Sequence, residues 1–189
     1  MRAALLLLAA VAVAGVVWVL HGKRVETYSD SYVRAGEIER PFDYLLVHVS
    51  KQQYMVINGK TYAGVRGMKP FYLRIPELKA LLFVTEGSEY GETFHIINLQ
   101  SKKEIEIDGG TAGFGRDIGS GRKPGEPFSD YIESVASNKV TIATRSLDWK
   151  ETWLLNLDSK RIERAETFDY DQSGNVTNHS VYVNGERVK

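Results

Sequence analysis

Two stretches of the sequence carry residue types that could do chemistry. The first is Asp169-Tyr170-Asp171-Gln172-Ser173-Gly174-Asn175. Oxygen ligands at alternate positions, a glycine for a sharp turn and a β-branched Val176 behind them match the opening of a calcium loop. Asp169, Asp171, Ser173 and Asn175 would supply the ligands, and Ca2+ is the one cofactor such a loop would take. Position 12 holds Ser180 where a bidentate glutamate is expected. The same residues also make a plain hairpin turn, so both readings stand. The second stretch is the loop 109–127, in which seven of nineteen residues are glycine. Its Arg116, Arg122 and Lys123 could grip an anion. Gly113 to Gly119 reads GxGxxxG, however, and prolines rather than a helix follow, so no dinucleotide fingerprint or P-loop is formed.

His48, His95 and His179 are scattered and show neither HxxxH nor HxH spacing. His48 reads as a strand histidine. No G-x-S-x-G elbow, HExxH helix or paired-carboxylate signature occurs. The absence of cysteine removes thiolate nucleophiles, disulfides and Cys-based metal sites. Twenty-four basic residues balance 24 acidic ones, which gives no electrostatic case for a nucleic-acid partner.

The elements that must position these residues are strands. From Phe42 onward the chain alternates short β-branched and aromatic runs with turn signals. Asn58-Gly59 and Asn184-Gly185 are type I′ hairpin signals, since both central residues need positive φ. An internal repeat spans about 71–107 and 130–165. An offset of 59 pairs Leu81, Phe83 and Thr85 with Val140, Ile142 and Thr144, and Glu92-Thr93-Phe94 with Glu151-Thr152-Trp153. After a one-residue slip, Asn98 to Lys102 pairs with Asn156 to Lys160. Ser129 to Ser137 could form a short helix by itself, and the repeat argues for a strand. Residues 45–60 read as a shortened third copy. Such meanders must stack to bury their faces. The fold expected is all-β, built of repeated antiparallel meanders: blade-like and open, propeller-like, or a β-sandwich. The glycine-rich segment 109–127 is an insertion between two copies.

Ser146-Leu147-Asp148-Trp149, followed by Phe168-Asp169-Tyr170-Asp171, Gly174, Asn178 and Ser180-Val181-Tyr182, resembles one blade of the gluconolactonase/regucalcin family. The resemblance implies blade-like hairpins, and for that family a six-bladed propeller that binds a divalent metal and hydrolyses sugar lactones. It covers about 37 of the 189 residues. Arg145 stands where the family has an asparagine ligand, and its glutamate and downstream aspartate ligands have no match. The chain is also too short for six blades.

Ahead of the strands, eighteen apolar residues run from Ala3 to Leu20. As a helix they rise about 27 Å, close to a hydrocarbon core of about 30 Å. Residues 1–24 therefore read as a signal anchor or, with Ala12-Val13-Ala14 as a cleavage site, a signal peptide. Residues 25–41 read as a linker and 42–189 as the β domain. The expectation is a membrane-anchored or exported module, periplasmic or on the cell surface. It would be non-catalytic, for binding or assembly, with the membrane (through residues 3–20) and a protein partner or second copy as partners. The alternative is a metal-dependent hydrolase of the propeller type.

Overall fold

Short β-branched runs split by turn residues satisfy their backbone groups by pairing with the next run along the chain. A computed structural model describes residues 11–12, 23–29, 32–39, 51–66, 71–86, 92–109, 129–184 and 186–189. The chain divides into two compact units, Met1–Gly64 and Val65–Lys189. Every strand pairing among the described residues is antiparallel. The fold is all-β and made of repeated meanders.

The first unit holds a four-stranded meander: β1 (Lys23–Ser29), β2 (Val33–Glu39), β3 (Lys51–Ile57) and β4 (Lys60–Ala63), paired in that order. Within 25–41, expected as a linker, residues 25–29 and 33–39 instead belong to β1 and β2. Their period-two signal is short: Val33 and Ala35 are buried, and charged residues alternate with them. Asn58 and Gly59 both have positive φ, 50° and 84°, and close the β3–β4 hairpin. Gly36 lies under the Tyr54 ring; a Cβ there would sit 2.7 Å from the Val25 carbonyl oxygen.

The second unit holds two meanders. In one, β5 (Val65–Arg66) and β6 (Leu73–Ile75) both pair with β7 (Ala80–Glu86), followed by β8 (Glu92–Asn98) and β9 (Glu104–Asp108). In the other, β10 (Ser129–Ala136), β11 (Lys139–Arg145), β12 (Trp149–Asn156), β13 (Arg161–Tyr170), β14 (Val176–Val183) and β15 (Glu186–Arg187) pair in chain order. Residues 129–136, where a helix was the rival, are strand.

The two meanders repeat each other in detail. Asn98 Oδ1 accepts from the amides of Gln100 and Ser101, and Asn156 Oδ1 accepts from those of Asp158 and Ser159. Lys102 and Lys160, four residues after each asparagine, both take positive φ. The register corrects one expected alignment. Phe83 pairs with His95, whereas its counterpart Ile142 pairs with Trp153. His95, not Phe94, therefore occupies the place of Trp153. The one-residue slip falls before β8, in the connection from β7, and not after it.

One face of each meander enters a shared core. Leu82, Val84, Phe94, Ile96 and Ile107 come from one; Val140, Ile142, Trp153, Leu155, Ile162 and Ala165 come from the other. A bulge at Leu154/Leu155 shifts the β13 register, so Ile162 and Ala165 face the core although three positions apart. Leu155 is fully buried, so Leu155→Ala should cost about 2–5 kcal/mol of unfolding free energy. Leu147, 80% exposed, should change it by less than about 0.5 kcal/mol as Leu147→Ala. Denaturant unfolding of both variants checks this, and equal losses would contradict the assigned core.

Candidate functional site

Beyond its apolar half, the core-facing side of β12–β14 becomes polar. Cross-strand pairing sets Trp149, Asp169 and Asn178 in one row, and Glu151, Thr167 and Ser180 in the next. Tyr182 and Arg187 pair in a further row. These residues line a cleft of about 250 Å³. Glu151 is only 2% exposed and Ser180 4%, so a carboxyl and a hydroxyl lie at its base. Asn178 Nδ2 donates to Asp169 Oδ2 at 3.2 Å across the ladder. Lys150, at the margin, donates to the Glu133 carboxylate. Burial alone would lower the Lys150 ammonium, but the bond to Glu133 together with the charge interactions with Tyr131, Glu133 and Tyr170 outweighs it and holds the group above its usual value.

Of the four residues expected as calcium ligands, Asp169 lines this cleft, while Asp171 turns into its own hairpin. Asp171 Oδ1 accepts from the Ser173 and Asn175 amides, both at 2.8 Å, and Oδ2 accepts from Asn175 Nδ2 at 3.0 Å. Gly174, at φ 82°, makes the turn. The geometry is that of an Asx turn closing β13 onto β14. The Asn175 side-chain bond, followed by the loop amides, holds the Asp171 carboxyl below its usual range.

On the opposite face of β13–β14, His179 stacks on Phe168 with ring centroids 4.3 Å apart. Lys189 Nζ donates to His179 Nδ1, which leaves Nε2–H to donate to Glu166 Oε2 at 2.8 Å. Burial would raise the Glu166 carboxyl, but the bonds from His179 and Arg164 prevail and lower it.

The fold also gathers residues that no sequence motif connected. His95 Nε2 lies 2.8 Å from Thr85 Oγ1. His95 Nδ1 lies 2.9 Å from Glu104 Oε1 and 3.9 Å from Glu106 Oε1. The imidazole stacks on Phe83 at 4.8 Å and is 6% exposed as a residue. Hydroxyl, imidazole and carboxylate thus lie in line, as in a nucleophile relay. Thr85, however, sits within β7, paired to Val65 on one side and Thr93 on the other. An acyl-transfer site needs amides aimed at an oxyanion, and a residue paired on both sides commits its backbone to the ladders. The signal that could have revealed the group is the alternation in Glu104-Ile105-Glu106, which puts two carboxylates on one strand face, beside a strand with a central histidine.

Arg116, Arg122 and Lys123, expected as anion ligands, and His48 lie outside the described residues. Of the apolar run 3–20 only Val11 and Ala12, both helical, are described. Among the described residues no helix is long and apolar enough to cross a membrane.

No protein family and no curated protein matches the chain, the gluconolactonase family included. Among solved structures it is similar to the β-propeller domain of the Trilobed protease from Pyrococcus furiosus, described as having an open velcro topology. The identity is 11%, the match covers 87% of this chain and 56% of that one, and the TM-score is 0.37. The chain thus spans a little over half the length of that domain.

Asp171 and Glu166 give the hairpin a defined acid response. Their ordinary values are 3.8 and 4.5, and both are lowered in the folded chain. The unfolded chain then binds protons more readily, so this stability is complete above about pH 5 and is lost as pH falls through the lowered native values. Thermal unfolding between neutral pH and strong acid should fall less steeply for Asp171→Ala than for wild type. Parallel curves would show that the Asx turn carries no pH-linked stability.

Proposed function

We propose that this protein is a non-catalytic binding module of the cell envelope, tethered by its apolar run 3–20, with the β12–β14 cleft as its ligand surface. The cleft carries the reading. A buried carboxyl, a second carboxylate, an amide, three hydroxyls and a guanidinium face it beside the Trp149 indole. Mixed donors and acceptors beside an aromatic ring suit a small hydroxyl-rich ligand, of which a saccharide is the type. The lining is matched to hydrogen bonding in several directions and not to one charge. Its volume suits a single sugar unit more than a long chain. The eighteen apolar residues and the flanking Arg2, Lys23 and Arg24 support the tether.

Two measurements test this. A panel of mono- and oligosaccharides titrated into the full chain should give saturable binding. Glu151→Gln and Asn178→Ala should each weaken it about tenfold, the scale of one lost hydrogen bond of about 1.4 kcal/mol. Binding unchanged in both variants would remove the cleft from the reading, and enzyme-like turnover of the ligand would remove the non-catalytic part. Expressed in cells, the full chain should sediment with membranes and resist alkaline extraction. Full-length protein in the soluble fraction would count against the tether.

A further inference from the structure

We propose that His95, Glu104 and Glu106 form a binding site for a divalent transition-metal ion, of which Zn2+ and Mn2+ are the type. The register brings the three together. His95 pairs directly with Glu106, and Ile97 pairs with Glu104, so all three side chains leave the same face of β8 and β9. The equivalent places of the sister meander hold Trp153, Ala165 and Ile162. There these ladder positions face the shared core and are filled with hydrocarbon. Here they hold one imidazole and two carboxylates.

One ring nitrogen and one oxygen from each carboxylate lie within 4.8 Å of one another. An ion about 2.0–2.2 Å from each ligand holds its donors roughly 3–3.6 Å apart. The Nδ1–Glu104 distance of 2.9 Å and the Nδ1–Glu106 distance of 3.9 Å straddle that range. Glu106 has a side chain 58% exposed, and a rotamer change closes its gap. Two carboxylates gathered on one imidazole are held against mutual repulsion more strongly by a divalent cation than by a single proton.

The surroundings fix the imidazole as a ligand requires. With a cation bound, Nε2–H would donate to Thr85 Oγ1, 2.8 Å away, and turn the Nδ1 lone pair to the ion, while the Phe83 ring fixes the plane. The nitrogen donor selects against Ca2+ and Mg2+, which prefer all-oxygen shells. Three protein ligands leave at least one position of a tetrahedral ion for water or an outer ligand. The site shares no residue with the β12–β14 cleft, so either can fail without the other.

The test uses the full chain stripped with chelator. Zn2+ or Mn2+ alone should bind with 1:1 stoichiometry by calorimetry. At about a hundredfold the Kd it should raise Tm by about 5 °C or more, while Ca2+ at the same concentration leaves Tm unchanged. Glu106→Gln alters an exposed side chain and should fold normally, yet lose at least tenfold in affinity; His95→Gln should abolish binding. Thr85→Val, which removes only the orienting bond, should weaken binding about 10–100-fold. Asp171→Ala should leave it unchanged. Co2+ substitution adds an independent readout, since its visible bands should appear in the wild type and be absent in His95→Gln. No Tm response to Zn2+ or Mn2+, wild-type affinity in Glu106→Gln, or a response to Ca2+ alone would each overturn the proposal.

Discussion

A β-meander has two faces and no means of covering both, and the second unit rests on how that shortage is met. Its two meanders each turn one face inward and bury Phe94 and Ile96 from one against a layer holding Trp153 and Leu155 from the other. Each such side chain contributes about 1.5–3 kcal/mol on leaving water. Because successive strand residues point to opposite faces, this demand fixes the pairing of every strand. A one-residue slip would turn Leu155 outward and bring Leu154 into its place. The bulge in β13 shows the demand at work, because it restores Ala165 to the core face after Ile162 has used it.

The same parity distributes the chemistry. On β12–β14 the inward face runs out of apolar partners past Trp153, and its next two rows become Glu151, Thr167, Ser180 and then Trp149, Asp169, Asn178. On β7–β9 the face turned away from the shared core carries His95 with Thr85, Glu104 and Glu106 among buried Leu81, Phe83 and Ile97. Both polar groups arise from residues two apart on neighbouring strands. Neither needs a loop to position it, which gives them the rigidity of the ladder itself.

Much of the architecture was legible in the sequence. Strand content, the meander texture, the Asn58-Gly59 hairpin and the paired Asn-Leu-x-Ser-Lys turns follow from turn chemistry and period-two runs. Local pattern failed where the signal was short or displaced. Residues 25–41 hid two strands behind alternating charge. The match of Phe94 to Trp153, aromatic to aromatic, was chemically attractive and wrong by one residue, because only the partner strand reveals which face a side chain takes. Of the candidate site, Asp169, Asn178, Ser180 and Tyr182 lay in a stretch already singled out. Glu151 entered only as part of the repeat. Thr85, His95, Glu104 and Glu106 come from three strands, and their meeting is a property of register that no single segment contains.

That register difference has a consequence for how the chain finds its fold. A polypeptide with two near-copies of one meander is exposed to strand exchange, in which β8 docks beside β11 or β12 beside β7. His95 distinguishes the copies. Docked opposite Ile142, its imidazole would be buried against hydrocarbon, with neither Glu104 nor Glu106 beside it unless β9 followed. Trp153 docked opposite Phe83 would bring its indole toward two acidic side chains. Each swap leaves a polar group stranded or an apolar one misplaced, at a cost of a few kcal/mol. The native register thus places the histidine where exchange of β8 and β12 would be disfavoured.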